Sequence, residues 1–216
     1  MERKLINILG LTGVAALISY AAAVFISPLA FPGYDSLSQA VSDLSADSAP
    51  SRALWNRLAA VYDVCSVFSP TLAAAFVSDS RTGSRLFRVG IYLFAVMNWI
   101  SAIGYRMFPL EDSGKNIAGF QEIMHIVVTA GVVLLSIASL TILIIAGFRK
   151  GGLKSLGIWA AAALAMMFVG AAGRGAVPAR YFGIVERFSV FAAVGFGAVL
   201  GIYLFTGFGE KSDASQ

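Results

Sequence analysis

The chain has 216 residues, of which 58% are hydrophobic and only 13% are charged, whereas about 25% of the residues in soluble domains are charged. A soluble protein of this length cannot bury so much apolar surface, so the composition excludes that class and predicts one membrane domain over residues 1–210, followed by a short cytoplasmic tail, 211–216. The single cysteine, Cys65, excludes an internal disulfide and a multi-thiolate metal site, and the surplus of four positive charges fits membrane orientation rather than nucleic-acid binding.

Six apolar stretches are each long enough, or nearly so, to cross a bilayer, which takes about 20 helical residues. They run over Leu5–Ile26, Leu58–Val77, Val89–Met107, Ile123–Phe148, Ser155–Gly173 and Phe188–Phe208. We therefore predict an all-α membrane protein, a bundle of six transmembrane helices. The first stretch is longer than the apolar core of a secretory signal, which has 7–15 residues, so we expect it to remain as the first helix. In the last stretch, Gly197-x-x-x-Gly201 predicts close contact with a neighbouring helix.

Basic residues are distributed unequally between the two sides of the predicted bundle, and an excess of Lys and Arg marks the cytoplasmic side. The side with both termini carries nine: Arg3, Lys4, Arg81, Arg85, Arg88, Arg149, Lys150, Lys154 and Lys211. The opposite side carries three in its loops and four at helix ends: Arg52, Lys115 and Arg180, then Arg57, Arg106, Arg174 and Arg187. We therefore predict a multi-pass protein of the cell membrane with both termini in the cytoplasm.

The first outer loop, about Ser27–Arg57, is organised more than a loop usually is. Ser36 and Gln39 fit a capping box, in which the serine caps a helix and the glutamine reaches back to its start. Apolar residues then recur at spacings of four and three, as on one face of a helix: Leu37, Val41 and Leu44. We predict a short interfacial helix here, or one folded over the mouth of the bundle. The alternative is a solvated loop rich in serine and aspartate.

Polar side chains lie within or at the ends of the predicted spans, where an ionised group costs about 2.5–3.5 kcal/mol and usually faces the bundle interior. Asn56 and Asp63 share one helical face at a spacing of seven, and Glu122 and His125 share another at a spacing of three. With the arginines they form a candidate outward-facing ligand pocket: Asn56, Asp63, Arg106, Glu122, His125, Arg174, Glu186 and Arg187. The alternative is that these charges form interhelical salt bridges without a ligand.

The leading hypothesis is that this pocket binds a lipid or another anionic amphiphile. Arg174 and Arg187, helped by Arg106, would engage an anionic group such as a lipid phosphate, because the planar guanidinium binds it bidentately. Membrane lipids are therefore the expected partners, nucleic acid is not, and the oligomeric state is left open. A further alternative is a structural membrane subunit whose charges only hold its helices together.

The second hypothesis is an extracytoplasmic lipid hydrolase or transferase. A nucleophile, a base and an orienting carboxylate would lie on one side of the membrane, as a triad requires: Ser42 (or Ser38), His125 and Asp43 (or Asp63). No Gly-x-Ser-x-Gly nucleophile elbow is present. Glu122-x-x-His125 has the spacing of di-iron bundles, but those need two such pairs. No cofactor or metal is expected, with zinc or calcium at His125 and neighbouring carboxylates as a minor alternative.

Several outer residues form short motifs. The longest is Phe31-Pro32-Gly33 followed by Tyr34-Asp35-Ser36-Leu37-Ser38-Gln39-Ala40-Val41-Ser42-Asp43-Leu44, and shorter ones are Asn56, Phe108-Pro109, His125 and Gly183-x-x-Glu186-Arg187. Together they resemble, over essentially the whole chain, a bacterial and archaeal six-helix membrane family known only as domain of unknown function 998. The resemblance implies six helices and an outer motif cluster, but no activity. More histidine than the single His125 is expected around the fourth span, which argues further against metal chemistry.

Overall fold

The computed structural model describes residues 4–111 and 119–209, with the backbone but not the side chain of Arg174. Within these residues the fold is helical and contains no strand. The α-helices are α1 Leu5–Leu9, α2 Thr12–Ile26, α3 Arg52–Asp79, α4 Arg85–Met107, α5 Phe120–Phe148, α6 Lys154–Ala176 and α7 Phe182–Phe205. Short 3-10 helices cover Ser27–Ala30, Ser42–Ser45, Ala179–Tyr181 and Gly207–Gly209. The predicted tail, 211–216, lies outside the described residues.

Six helical segments are long and apolar enough to cross a membrane, which confirms the predicted all-α multi-pass membrane protein. They are Leu5–Ala30, Arg52–Asp79, Arg85–Met107, Phe120–Phe148, Lys154–Gly173 and Ala179–Phe205. Helices α3 and α7 begin at Arg52 and Phe182, each six residues earlier than the corresponding apolar stretch. Polar residues end an apolar stretch without ending a helix. The 28 residues of α3 span about 42 Å at 1.5 Å per residue, which exceeds a hydrocarbon core of about 30 Å.

Successive spans run in opposite directions, so the connections gather at two ends of the bundle. One end, here the cap end, carries residues 31–51, the segment 108–111 after α4, and the start of α7. The other, here the basic end, carries the turns at 80–84 and 149–153 and the 3-10 helix Gly207–Gly209. At the cap end the Asp47 amide donates to the Leu110 carbonyl at 2.9 Å, which joins two of the connections. Assignment of the basic end to the cytoplasm stays a prediction.

A cluster of packed side chains lies beneath the loop at the cap end. The ring of Tyr20, which is buried, lies 4.7 Å from the ring of Tyr62 and 5.7 Å from that of Phe191, measured between centroids. Trp55 meets the same ring edge-on at 5.9 Å. Val41 of the first outer loop is buried against this cluster. The loop therefore rests on an aromatic platform built by three spans and does not stand free in solvent.

Glycines let the first span and α7 approach at backbone distance. A Cβ atom built at Gly10 lies 2.6 Å from the Gly201 carbonyl oxygen, and one built at Gly201 overlaps the Gly10 carbonyl oxygen. A Cβ at Gly13 lies 2.8 Å from the Gly197 carbonyl oxygen. The close contact that Gly197-x-x-x-Gly201 predicts is therefore present, and its partner is the N-terminal span.

Candidate functional site

One arginine fastens the first outer loop to the last helix. Arg187 Nη1 donates to the carbonyl oxygens of Ser36 at 2.8 Å, Gln39 at 3.2 Å and Gly183 at 2.6 Å, and Nη2 donates to the Tyr34 hydroxyl at 2.8 Å. Hydrogen bonds from a charged donor are the stronger kind. We call this set of contacts the Arg187 clamp. It uses most of the donors that the ligand hypothesis assigns to a phosphate.

The residue before the clamp binds the same loop through a different backbone group. Glu186 Oε2 accepts from the Val41 amide at 3.1 Å. Inside the loop, Asp43 Oδ2 accepts from the Ala40 amide at 3.2 Å, and Asp43 is buried. The arginine therefore meets loop carbonyls while the glutamate meets a loop amide, so one turn of α7 satisfies both kinds of backbone group in the loop.

Gly183 allows the loop backbone to reach α7. A Cβ atom at this position would lie 2.6 Å from the Ser36 carbonyl oxygen and would overlap the Gln39 carbonyl oxygen. Both neighbours are backbone atoms and cannot rotate away. Gly183, Glu186 and Arg187 thus form one contact surface for the loop, which gives the motif Gly183-x-x-Glu186-Arg187 a physical basis.

The predicted capping arrangement is present but begins one residue earlier. Asp35 rather than Ser36 is the cap: its Oδ1 accepts from the Leu37 amide at 3.0 Å and its Oδ2 from the Ser38 hydroxyl at 2.7 Å. Gln39 Oε1 reaches back to the Asp35 amide at 2.7 Å. The hydrogen bond from the Ser38 hydroxyl, with that from the Leu37 amide, holds the pKa of Asp35 below its ordinary value.

The short helix predicted after this cap is a turn followed by one 3-10 helix, Ser42–Ser45, instead of an α-helix. An α-helix would use the Ser36 and Gln39 carbonyls for its own hydrogen bonds, and the Arg187 clamp takes both. Of the predicted apolar face, Val41 and Leu44 are buried and Leu37 is half exposed. The loop therefore combines a turn and a 3-10 helix with a tertiary contact to α7, where the local pattern predicts a short helix.

Tyr34 completes the clamp as both acceptor and donor. Its hydroxyl accepts from Arg187 and donates to the Ala40 carbonyl oxygen at 2.8 Å. Burial raises the pKa of Tyr34, and the charge of Arg187 opposes this rise only in part. The phenol therefore keeps its proton at neutral pH and holds the loop from its other side. Sequence reasoning placed Tyr34 in a motif without assigning it a partner.

A second charged contact joins α3 and α4 at the cap end. Arg106 Nη2 lies 2.9 Å from Asp63 Oδ2, with the two side chains 69% and 38% exposed. The salt bridge that sequence reasoning offered as an alternative is thus present for this pair. Asn56, two helical turns before Asp63, is exposed on the same face of α3. The Arg106–Asp63 pair lies on the surface of the bundle and is open on one side.

His125 is held between α4 and α5. Its Nδ1 lies 2.8 Å from the Phe108 carbonyl oxygen, which only accepts, so Nδ1 carries a proton, and the tautomer that fits this contact has its lone pair on Nε2. The ring lies 5.0 Å from that of Tyr105 between centroids, and the Thr129 hydroxyl donates to the His125 carbonyl at 2.8 Å. The histidine therefore has one fixed tautomer and a defined orientation.

The remaining predicted site residues have contacts of their own. Glu122 accepts from the Gly119 amide at 3.2 Å and so caps α5. The hydrogen bonds described above for Asp43 and His125 do not join them, and Ser42 begins the 3-10 helix that contains Asp43. The side chain of Arg174 lies outside the described residues. Within the part of the chain that the structure describes, no three His, Cys, Asp or Glu side chains are grouped as metal ligands would be.

Comparison with known proteins gives one match. The sequence model of a family described as "Protein of unknown function (DUF998)" matches residues 14–203. The matched region contains Arg187 and the four residues that it contacts in the clamp. No curated protein and no solved structure matches the chain.

Proposed function

Because this chain belongs to the DUF998 family, whose description assigns no activity, we propose its role from its own residues: it binds a lipid or another anionic amphiphile at the cap end. The observation that most supports this role is the exposed guanidinium of Arg106. Its side chain is 69% exposed, and Asp63 is its one hydrogen-bond partner among the described residues. The Arg187 clamp has a different task, which is to hold the outer loop on the bundle.

The chemistry of Arg106 suits a phosphate group. A guanidinium has five N–H donors, and the bond to Asp63 uses one of them. The remaining donors include a parallel pair that matches two phosphate oxygens. Asp63 also fixes the orientation of the guanidinium, so less side-chain entropy is lost when a ligand binds.

The surroundings of Arg106 suit the apolar part of an amphiphile. Arg106 is the second-last residue of α4, so it lies at the depth where a span meets the lipid headgroups. Ile103, one turn deeper on the same helix, and Val64, beside Asp63, are exposed apolar side chains. Acyl chains can lie against them while the headgroup meets Arg106 and Asn56. Participation of Arg174 in the same site stays a prediction.

Lipid analysis by mass spectrometry of protein purified in mild detergent tests the proposal. Arg106→Ala is expected to retain about tenfold less anionic lipid than the wild type, which corresponds to about 1.4 kcal/mol of binding. Arg57→Ala is the matched control, since Arg57 is an exposed arginine of α3 at the cap end of the bundle. This variant is expected to retain the lipid.

Asp63→Asn separates binding from helix pairing. It breaks the salt bridge but leaves Arg106 in place and removes a negative charge, so anionic lipid should be kept or gained. A role in helix pairing alone would instead give Arg106→Ala and Asp63→Asn the same loss of thermal stability and no change in lipid. That result would contradict the proposal.

A lipid hydrolase or transferase is the second candidate, and the fixed tautomer of His125 favours it. A general base needs an available Nε2 lone pair, and the Phe108 carbonyl leaves one. His125→Gln should abolish hydrolysis of a phospholipid ester in reconstituted vesicles without shifting the melting temperature by more than a few degrees. Ser42→Ala should abolish it equally. Unchanged hydrolysis in either variant would exclude Ser42 and His125 as a nucleophile and base.

A further inference from the structure

A cavity of about 300 Å³ lies at the basic end of the bundle, opposite the cap. It is bordered by the turn between α3 and α4, the turn between α5 and α6, and the 3-10 helix Gly207–Gly209. Ligand pockets start at about 300 Å³, and one water occupies about 30 Å³. The cavity therefore has room for a small group of heavy atoms with its hydration.

Two of the residues that line this cavity are aromatic and pack against each other. Phe87 and Phe208 line it, are both buried, and meet edge-on with 5.8 Å between ring centroids. Phe208 has a left-handed backbone, φ 54°, between Gly207 and Gly209, whose φ angles are also positive. Such a conformation in a bulky residue persists only where its surroundings enforce it. The three residues thus turn the chain after α7 and hold Phe208 among the residues that line the cavity.

Two cationic residues are among the described residues that line the cavity. Arg149 and Lys150 line it side by side, and neither forms an ion pair with a residue that the structure describes. Acidic residues are absent from the described lining. Two adjacent cations repel each other, and an anion bound beside them reduces that repulsion.

The turn before α4 adds hydrogen-bonding groups that favour an anion. Ser84 caps α4, and its Oγ accepts from the Phe87 amide at 3.2 Å, so its hydroxyl proton is left to donate. Arg88 Nη1 donates to the carbonyl oxygens of Arg81 at 3.0 Å and Gly83 at 2.9 Å. Arg88 thereby provides a hydrogen-bond donor for these two carbonyl oxygens.

We propose that this cavity binds a phosphate group, held by Arg149 and Lys150 and by the hydroxyl of Ser84. The arginine supplies a planar fork, the lysine a compact charge, and the serine a neutral donor. This site is separate from the cap end, so it does not depend on the proposed function. The phosphate is either a free anion or the headgroup of an anionic lipid, and the two sources are separable by experiment.

Binding is measured on the full chain in phosphatidylcholine nanodiscs. In one arm, inorganic phosphate is titrated against chloride at constant ionic strength and followed by calorimetry and thermal unfolding. In the other arm, phosphatidylglycerol is added to the bilayer without free phosphate. The cavity variant is R149Q/K150Q, and the matched control is R85Q/K154Q, which removes two basic residues of the same end that do not line the cavity.

The cavity variant is expected to bind phosphate at least about tenfold more weakly, since it removes two charged hydrogen-bond donors. The control should bind like the wild type, and both variants should melt with the wild type when no ligand is present. Saturable binding of inorganic phosphate identifies a free anion, and a response to phosphatidylglycerol alone identifies a headgroup. Equal weakening in both variants would show only general attraction to a basic surface, and absence of saturable binding in both arms would likewise overturn the proposal.

Discussion

Replacement of Arg187 with alanine is expected to lower the free energy of unfolding by about 3 kcal/mol, since it removes several charge-assisted hydrogen bonds, each worth about 1.5–3 kcal/mol and not additive. The Ser36 and Gln39 carbonyls then lose the donor that holds them on α7. Unfolding titrated with detergent measures the loss, and hydrogen exchange at the Val41 amide reports release of the loop.

Two further variants sharpen this test. Arg180→Ala removes an exposed arginine two residues before α7 that stacks on the Tyr181 ring, 4.8 Å from its centroid. This variant should lower the free energy of unfolding by about 1 kcal/mol at most. Arg187→Lys keeps the charge but not the fork, and should lie between wild type and alanine. If Arg187→Ala is no less stable than Arg180→Ala, the clamp does not hold the loop.

Replacement of Gly201 with alanine is expected to lower the free energy of unfolding by about 2 kcal/mol or more, which is in the upper range for an extra methyl group in a densely packed core. Its Cβ would overlap the Gly10 carbonyl oxygen and would lie 3.1 Å from the Ser69 hydroxyl oxygen. Backbone on the opposing span cannot rotate away, so the first span must shift from α7. The melting temperature and the detergent concentration at half-unfolding measure the effect of Gly201→Ala.

Gly195→Ala is the control on the same helix, since a Cβ there meets no atom within 4 Å. Alanine is favoured over glycine in a helix by up to about 1 kcal/mol, so this variant should be neutral or slightly more stable. Equal stability of the two variants would mean that the first span and α7 do not approach at Gly201.

The sequence was sufficient for the helices and for one close contact because both depend on local patterns. Hydrophobic runs identify spans through their length alone, and Gly197-x-x-x-Gly201 marks a face that admits another backbone. Side-chain character also limited the result. The apolar stretch places the start of the second span at Leu58, whereas α3 begins at Arg52. Hydropathy does not detect polar helical turns that extend beyond the membrane.

The partners of the charged residues could not be predicted in the same way. Arg187 binds backbone carbonyls, and every residue has a carbonyl, so no pattern in the sequence identifies which ones it takes. The pairing of Asp63 with Arg106 joins residues 43 positions apart and was one of several combinations of charge. For His125, the residue type is read directly from the chain, while its tautomer depends on where the Phe108 carbonyl lies.

The Arg187 clamp also sets an order of events during synthesis. Tyr34 and Arg187 are 153 residues apart, and membrane chains are made from the N-terminus, with early segments in place before later ones exist. The loop therefore waits, with its carbonyls hydrated, while four further spans enter the bilayer. Its contacts to α7 form only when α7 arrives, so a chain that stops short of α7 lacks the Arg187 clamp. Closure of the cap thus marks a fully inserted chain.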